Sequence, residues 1–276
     1  MLIEDHSKHT KDLEPENTHP VESDTLHIGP IALQSRLIVG TGKFSSADTM
    51  SKAIRASNTN LVTVALRRID FTSQERSILH AIPPNLFLLP NTSGARTAEE
   101  AIRLARLSRR PNTLPLIKLE VTPHHGHLMP DPIDTLIAAT ALVKEGFLVF
   151  PYCGADPVLA KRLEEVGCVA VMPLGSPIGS NLGLLTKPFI QLIIEDASVP
   201  VIVDAGLGAP SHAAQAMEMG ADAVLVNTAI ASSLDPVTCA KAFSESVHAG
   251  RLGFLCGLRS PFSHAVPSSP PHSYLS

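Results

Sequence analysis

The sequence predicts a (β/α)8 TIM barrel, an α/β fold in which eight parallel strands alternate with helices. Three observations predict it. Apolar runs of strand length alternate with helical patterns between two polar tails. The runs number eight, and eight strand–helix units in about 230 residues match such a barrel in length. Aspartates and glycines also stand where helices would begin and end.

The eight strand candidates are, in chain order, Arg36–Thr41, Leu61–Leu66, Leu86–Pro90, Leu116–Val121, Phe147–Cys153, Val169–Leu174, Val199–Ala205 and Ala223–Asn227. Helical patterns between them cover Asp48–Ser57, Thr97–Arg109, Ile133–Glu145, Pro157–Val166, Phe189–Asp196 and Ser211–Met219, with a weakly marked helix near Ser73–Ala81. Continuous apolar strands separated by helices indicate a parallel sheet covered on both faces. A doubly wound open sheet is the alternative, but it usually has fewer strands and an early glycine fingerprint.

Helix boundaries carry local signals. Three helices are predicted to begin at an Asp-Pro step, because Asp caps free amides and Pro suits the first turn. These steps are Asp131-Pro132, Asp156-Pro157 and Asp235-Pro236. Three glycines suited to end helices follow such patterns, namely Gly146, Gly167 and Gly220.

Charge divides the chain into a barrel and two tails. Residues 1–24 hold seven acids and two lysines of a 276-residue chain with net charge −4, so the remainder is almost neutral. This balance argues against an extended nucleic-acid surface. We expect a disordered acidic extension over residues 1–25, a catalytic barrel over 26–259 and a flexible Pro/Ser-rich tail over 260–276.

The compartment follows from what the sequence lacks. The four cysteines form no CxxC pair, which favours reduced thiols. The N-terminus has no apolar signal region, and no apolar run reaches the length of a membrane span. A cytoplasmic location is therefore predicted.

The strand around Lys118 is the strongest chemical signal. Lys118 and Glu120 are two positions apart, so they point to the same side of a buried strand. Buried charges are costly unless they are paired or used. One interpretation is a structural ion pair. The other is a desolvated lysine with a lowered pKa that attacks a carbonyl, beside a carboxylate that moves protons.

Other candidates follow the last strands, where barrels place their active sites. Asp204 ends the seventh strand and is either a turn former or a second acid/base. The glycine-rich loop after it, and Asn227-Thr228 after the eighth strand, occupy the usual phosphate site of barrels. The loop 175–183 after the sixth strand is long enough to form a lid or the wall of a pocket. It could equally be a loop with a structural role alone.

Three further motifs are weaker. Gly40-Thr41-Gly42-Lys43 resembles a phosphate loop only superficially, and a tight turn is expected. The tract His124-His125-Gly126-His127 resembles a metal site, but its setting among prolines favours an exposed loop, so no metal site is predicted. The pair Arg67-Arg68 follows the second strand, and we expect it either to hold an anionic group or to cap the rim of the barrel.

Long strings of the sequence resemble one enzyme family. They are VGTGKF (39–44), LLPNTSGARTAEEA (88–101), KLEV (118–121), PYCGADPVLAKRLEEVGCVAVMPLGSPIGS (151–180) and VPVIVDAGLGAPSHAAQAMEMGADAVLVNTAIA (199–231). From about Leu33 to Gly257 the chain resembles bacterial thiazole synthases, barrel enzymes that build the thiazole phosphate of thiamine. The resemblance implies a Schiff-base lysine at Lys118 and acid/base carboxylates at Glu120 and Asp204. It implies sugar-phosphate contacts at Gly179, Ala205, Gly206, Asn227 and Thr228.

The resemblance also implies substrates and partners. The substrates would be 1-deoxy-D-xylulose 5-phosphate and dehydroglycine, with sulfur from the C-terminal thiocarboxylate of a small sulfur-carrier protein. A homotetramer is implied, and no metal or redox cofactor. Two other functions stay open on the residues alone. One is a class I aldolase, which also uses a barrel lysine, and the other is a non-catalytic phosphate-binding barrel.

Overall fold

The structure, a computed structural model, describes residues 24–66, 79–259 and 263–265. The strands are β1 (Leu26–Ile28), β2 (Ile31–Leu33), β3 (Leu37–Gly40), β4 (Leu61–Ala65), β5 (Phe87–Asn91), β6 (Leu116–Leu119), β7 (Leu148–Cys153), β8 (Met172–Pro173), β9 (Ile202–Asp204) and β10 (Ala223–Val226). The helices are α1 (Ala47–Ala56), α2 (Ala98–Ser108), α3 (Pro132–Lys144), α4 (Pro157–Glu165), α5 (Lys187–Asp196), α6 (Pro210–Glu218), α7 (Thr228–Ala231) and α8 (Pro236–Leu255).

Eight parallel strands form the barrel. Their order is β8-β7-β6-β5-β4-β3-β10-β9. The two end strands also pair, through bridges from Val171 to Val201 and from Leu174 to Asp204. The predicted (β/α)8 barrel is thus confirmed, and an open sheet is excluded because its edges are joined.

The predicted helix starts are confirmed. The carboxylates of Asp131, Asp156 and Asp235 each accept hydrogen bonds from two backbone amides of the first turn, and proline follows each of them. Gly146 and Gly167 follow α3 and α4 with φ of 80° and 100°. Such left-handed backbone is favourable for glycine, so these residues end their helices at little steric cost.

A short hairpin that the sequence analysis missed covers one end of the barrel. Strands β1 and β2 pair antiparallel and bury four side chains, those of Leu26, Ile28, Ile31 and Leu33. These pack in one cluster with Leu61, Leu116 and Ala223, each the first residue of its strand. The hairpin therefore closes the amino end of the barrel and leaves the carboxyl end open. The Gly29-Pro30 turn between two apolar pairs was the available signal.

The expected boundary of the N-terminal extension needs a correction. Oδ1 of Asp24 lies 2.7 Å from Nη2 of Arg36 and 2.7 Å from Nη2 of Arg251. Residue 24 therefore belongs to the packed barrel, because it links the start of β3 to α8. The expected extension over 1–23 lies outside the described residues.

Several other expectations also fall outside the described part of the chain. They are most of the C-terminal tail, the Arg67-Arg68 pair and most of the helix expected near 73–81. Within the described ranges, no helix combines the length and the apolar character that a membrane span requires.

Candidate active site

A cavity of about 450 Å³ opens among the carboxyl ends of the strands. Its size is typical of a site for a small metabolite. All eight site residues predicted from the sequence line it, namely Lys118, Glu120, Gly179, Asp204, Ala205, Gly206, Asn227 and Thr228. The barrel thus brings together residues from four strands and the loops that follow them.

Lys118 forms two ion pairs at the bottom of this cavity. Its Nζ lies 2.6 Å from Oδ2 of Asp204 and 3.1 Å from Oε1 of Glu120. The three side chains are only 4–8% exposed. The alternation of side chains along β6 places Lys118 and Glu120 on one side, and the end of β9 supplies Asp204.

Of the two interpretations of Lys118 that the sequence left open, a lowered pKa does not fit this arrangement. Burial by itself lowers the pKa of Lys118, but the attraction of Asp204 and Glu120 outweighs it and raises the pKa above its usual value. Burial raises the pKa of Asp204, against the opposing effect of Lys118. Lys118 is therefore an ammonium whose nearest proton acceptor is a carboxylate with an increased affinity for protons. A proton transferred to Asp204 would release the neutral amine.

Thr92, between the cavity-lining residues Asn91 and Ser93, supports the site although the sequence offered no reason to select it. Its Oγ1 donates to the carbonyl oxygen of Glu120 and accepts from the N–H of Glu120, both at 2.8 Å. Its own N–H donates to the carbonyl oxygen of Lys118. Thr92 therefore holds the backbone that carries both charged side chains. Its side chain is fully buried, but the only signal in the sequence was a threonine directly after a predicted strand.

Tyr152 is the second residue that the sequence analysis missed, because a tyrosine in an apolar run resembles core. Its ring centroid lies 5.6 Å from Nζ of Lys118, within the range of a cation–π interaction. Its hydroxyl is buried and has no hydrogen-bond partner within the described residues. Burial, and then the charges of Asp204 and Glu120, raise its pKa. The hydroxyl thus stays protonated near the charged trio.

The loops after β8 and β9 pack against each other beside Lys118, Glu120 and Asp204. Ala205 and Gly206 both have left-handed backbone, with φ of 65° and 77°. The carbonyl oxygen of Gly206 accepts from the N–H of Gly183 at 2.8 Å. A Cβ at position 206 would overlap Ser176. Glycine is therefore required at 206 by the packing of two loops, before any ligand approaches.

Asn227 connects the ends of β10 and β3. With Nδ2 facing the β3 loop, its amide donates to the carbonyl oxygens of Gly40 and Gly42 at 3.2 and 2.9 Å. On the same loop, Nζ of Lys43 lies 3.2 Å from Oγ1 of Thr228. Segment 40–43 was expected to be a tight turn, and its residues 41–43 also line the cavity.

The histidine tract lies in an exposed loop, as expected. The rings of His124 and His127 stack with centroids 4.3 Å apart, and His125 faces the cavity. In the described residues, no group of three or more His, Cys, Asp or Glu side chains is arranged to hold a metal ion.

Solved structures with similar folds agree with this architecture. The BexX/CysO complex of Amycolatopsis orientalis contains a chain of 31% identity that aligns with a TM-score of 0.78, over 87% of this chain and 98% of that one. Mandelate oxidase with (S)-2-phenylpropionate aligns at TM-score 0.61 and 14% identity, over 84% and 78% of the two chains. The second likeness supports the barrel alone.

Sequence relatives identify the family. The family model "Thiazole biosynthesis protein ThiG" matches residues 27–270. The thiazole synthase of Syntrophobacter fumaroxidans is 60% identical over 88% of this chain and 96% of its own length. That of Photorhabdus laumondii is 57% identical over 91% of this chain and 98% of its own. The chain therefore belongs to the ThiG family of thiazole synthases, enzymes of thiamine thiazole synthesis.

Proposed function

We propose that this protein forms the thiazole phosphate of thiamine through an imine between Lys118 and 1-deoxy-D-xylulose 5-phosphate. The observation that carries the proposal is the position of Nζ of Lys118, 2.6 Å from Asp204 and 3.1 Å from Glu120. A buried amine with two carboxylates can lose and regain protons without exchanging them with bulk water. Formation and isomerisation of an imine both require such proton transfers.

The first step is imine formation. Lys118 passes a proton to Asp204, and the neutral amine attacks the C2 carbonyl carbon of the sugar. A carbon–nitrogen bond forms, the nitrogen loses its two remaining protons, and the carbonyl oxygen takes up two protons and leaves as water. The ring of Tyr152 faces the nitrogen, so it favours the cationic form of the imine.

The second step is isomerisation of the imine. Protons leave C3 and its hydroxyl and return to C2 and the imine nitrogen, so the ketone moves to C3. Glu120 and Asp204 are the groups we assign to these transfers, because both contact Nζ. The fixed backbone of Glu120, held by Thr92, keeps its carboxylate within reach.

In this proposal the loops after β8, β9 and β10 hold the phosphate. Their residues Gly179, Ala205-Gly206 and Asn227-Thr228 line the cavity. Backbone amides of such loops bind phosphate oxygens without a side chain in the way. The ketone then points toward Lys118.

Sulfur and the remaining atoms come from outside the sugar. We propose a small sulfur-carrier protein as partner, whose C-terminal thiocarboxylate enters the open end of the barrel, and dehydroglycine as the source of the carbon and nitrogen. The crystal structure of the BexX/CysO complex, which contains a chain similar to this one, supports a protein partner for this barrel. A homotetramer and a cytoplasmic location remain part of the proposal.

Borohydride trapping tests the imine. Borohydride reduces an imine to a stable secondary amine, which mass spectrometry locates on one lysine. We expect an adduct on Lys118 with the sugar phosphate and none in Lys118→Arg, because guanidinium stays protonated. Lys52→Arg, on the exposed face of α1, is the matched control and should be labelled normally. Borohydride-dependent labelling of Lys118→Arg would overturn the assignment.

A further inference from the structure

Lys43 lies between two residues assigned to the phosphate. Its Nζ is 3.2 Å from Oγ1 of Thr228. A Cβ built on Gly179 would lie 3.3 Å from the same Nζ. The ammonium therefore stands where the loops after β3, β8 and β10 meet, on the wall of the cavity.

The charge of Lys43 is not compensated by the part of the chain that the structure describes. Lys118 has two carboxylates within 3.1 Å. Lys43, by contrast, has no carboxylate oxygen within 4.0 Å among residues 24–66, 79–259 and 263–265. Its neighbours Thr228 and Gly179 are uncharged. An ammonium in this setting is available to an anion.

The backbone of Lys43 is also unusual. Its φ of 68° lies in the left-handed region, which a lysine adopts at some cost. Asn227 holds the preceding residues in place through the carbonyl oxygens of Gly40 and Gly42. The loop therefore fixes a strained lysine toward Thr228. Strain of this kind clusters at ligand-binding positions.

We propose that Lys43 binds the phosphate of the sugar substrate and makes the site specific for phosphorylated sugars. The inference rests on the proposed function, because it assumes that the phosphate lies between Gly179 and Thr228. Backbone amides alone leave a dianion uncompensated. The Lys43 ammonium supplies the positive charge, while the Thr228 hydroxyl, which now accepts its hydrogen bond, becomes a second phosphate contact.

The test compares Lys43→Met with Lys52→Met. Lys52 is a solvent-exposed lysine paired with Asp48 on α1, so its variant controls for loss of one surface charge. Calorimetry measures binding of 1-deoxy-D-xylulose 5-phosphate and of the same sugar without phosphate. We expect Lys43→Met to bind the phosphorylated sugar about 10- to 100-fold more weakly, as for loss of a charged hydrogen bond. Binding of the sugar without phosphate should be unchanged, and Lys43→Arg should restore part of the affinity.

Borohydride trapping in the same variants separates this inference from the proposed function. A Lys118 adduct with equal affinity of Lys43→Met and Lys52→Met for the sugar phosphate overturns the inference and leaves the function standing. If binding of the sugar phosphate depends on Lys43 but no adduct forms, the proposed imine function is overturned and the inference about Lys43 stands. Absence of binding to the parent protein overturns both. Thermal unfolding of each variant is the control for folding, and we expect Lys43→Met to unfold at the same temperature as the parent because the Lys43 side chain is exposed.

Discussion

Thr92 holds the main chain of Glu120 through a single hydroxyl. It donates to the carbonyl oxygen and accepts from the N–H, both at 2.8 Å. Strand β6 ends at Leu119, so Glu120 lies one residue beyond the sheet ladder. Without Thr92 these two buried backbone groups would need new partners. The residue that follows the neighbouring strand β5 therefore positions Glu120, to which we assign an acid/base role.

Thr92→Val should reduce both stability and turnover. The substitution keeps the shape of the side chain but leaves a buried N–H and a buried carbonyl unpaired, which costs about 1–3 kcal/mol of the free energy of unfolding. A displaced Glu120 should lower kcat about 10- to 100-fold. Thr92→Ser keeps the hydroxyl and is the control. Urea unfolding and steady-state turnover measure the two effects, and equal kcat in both variants would refute the positioning role.

Glu120→Gln and Asp204→Asn should slow catalysis while the sugar phosphate still binds. Each removes one acid/base group and keeps the size of the side chain, so we expect kcat to fall about 10²- to 10⁴-fold. Calorimetry checks binding and urea unfolding checks the fold. Normal turnover in both variants would show that the carboxylates have no catalytic role. Loss of folding in either would favour the structural ion pair.

The pH dependence of trapping should move in Asp204→Asn. In the parent protein, burial lowers the pKa of Lys118 but the two carboxylates raise it above its usual value. Loss of Asp204 removes the closer carboxylate, so the pKa should fall and the neutral amine should be present at lower pH. The rate of adduct formation should therefore reach its plateau at lower pH than in the parent. A shift to higher pH would contradict the ion-pair account.

The sequence predicted what depends on local rules. Strand runs, Asp-Pro caps and the alternation of Lys118 and Glu120 are short-range patterns, and the structure has all of them. The rule that barrel sites lie at strand ends was enough to bring Asp204 to the same cavity. What the sequence left open depends on contacts between residues that are distant along the chain. The direction of the Lys118 pKa is decided by a 2.6 Å contact to a residue far along the chain, and spacing cannot supply it.

Non-local contacts explain the other omissions. Thr92 acts on Glu120, 28 positions away, and its segment has the composition of an ordinary turn. Gly206 seemed to be a ligand-approach glycine, whereas its missing Cβ would overlap Ser176. A Gly206→Val variant would therefore disturb loop packing as well as binding. Lys43 is the better probe of the phosphate end.

Tyr152→Phe should preserve or increase stability. The parent hydroxyl is buried without a hydrogen-bond partner in the described residues, so its removal relieves a desolvation cost of about 1 kcal/mol. The ring beside Lys118 is kept. Tyr152→Leu removes the ring and should slow adduct formation, because the cationic imine loses its cation–π contact. Thermal unfolding and trapping rates test both. A large loss of turnover in Tyr152→Phe would show instead that the hydroxyl contacts substrate.

Asp24 should stabilise the barrel in a pH-dependent manner. Burial alone raises the pKa of Asp24, but its hydrogen bonds to Arg251 and Arg36 outweigh this and hold the pKa well below its usual range. A carboxyl with a lowered folded pKa stabilises the protein above its unfolded pKa, and this is lost as pH falls toward the folded value. Asp24→Asn should therefore cost about 1 kcal/mol of the free energy of unfolding at pH 7, discounted for partial exposure. The difference should shrink below about pH 4.

Deletion of residues 2–23 should change the free energy of unfolding by less than about 0.5 kcal/mol. Deletion of residues 2–25 should lower it at least as much as Asp24→Asn does. Urea unfolding at several pH values measures all three, and equal stability of both deletions would show that the Asp24 pairs contribute nothing.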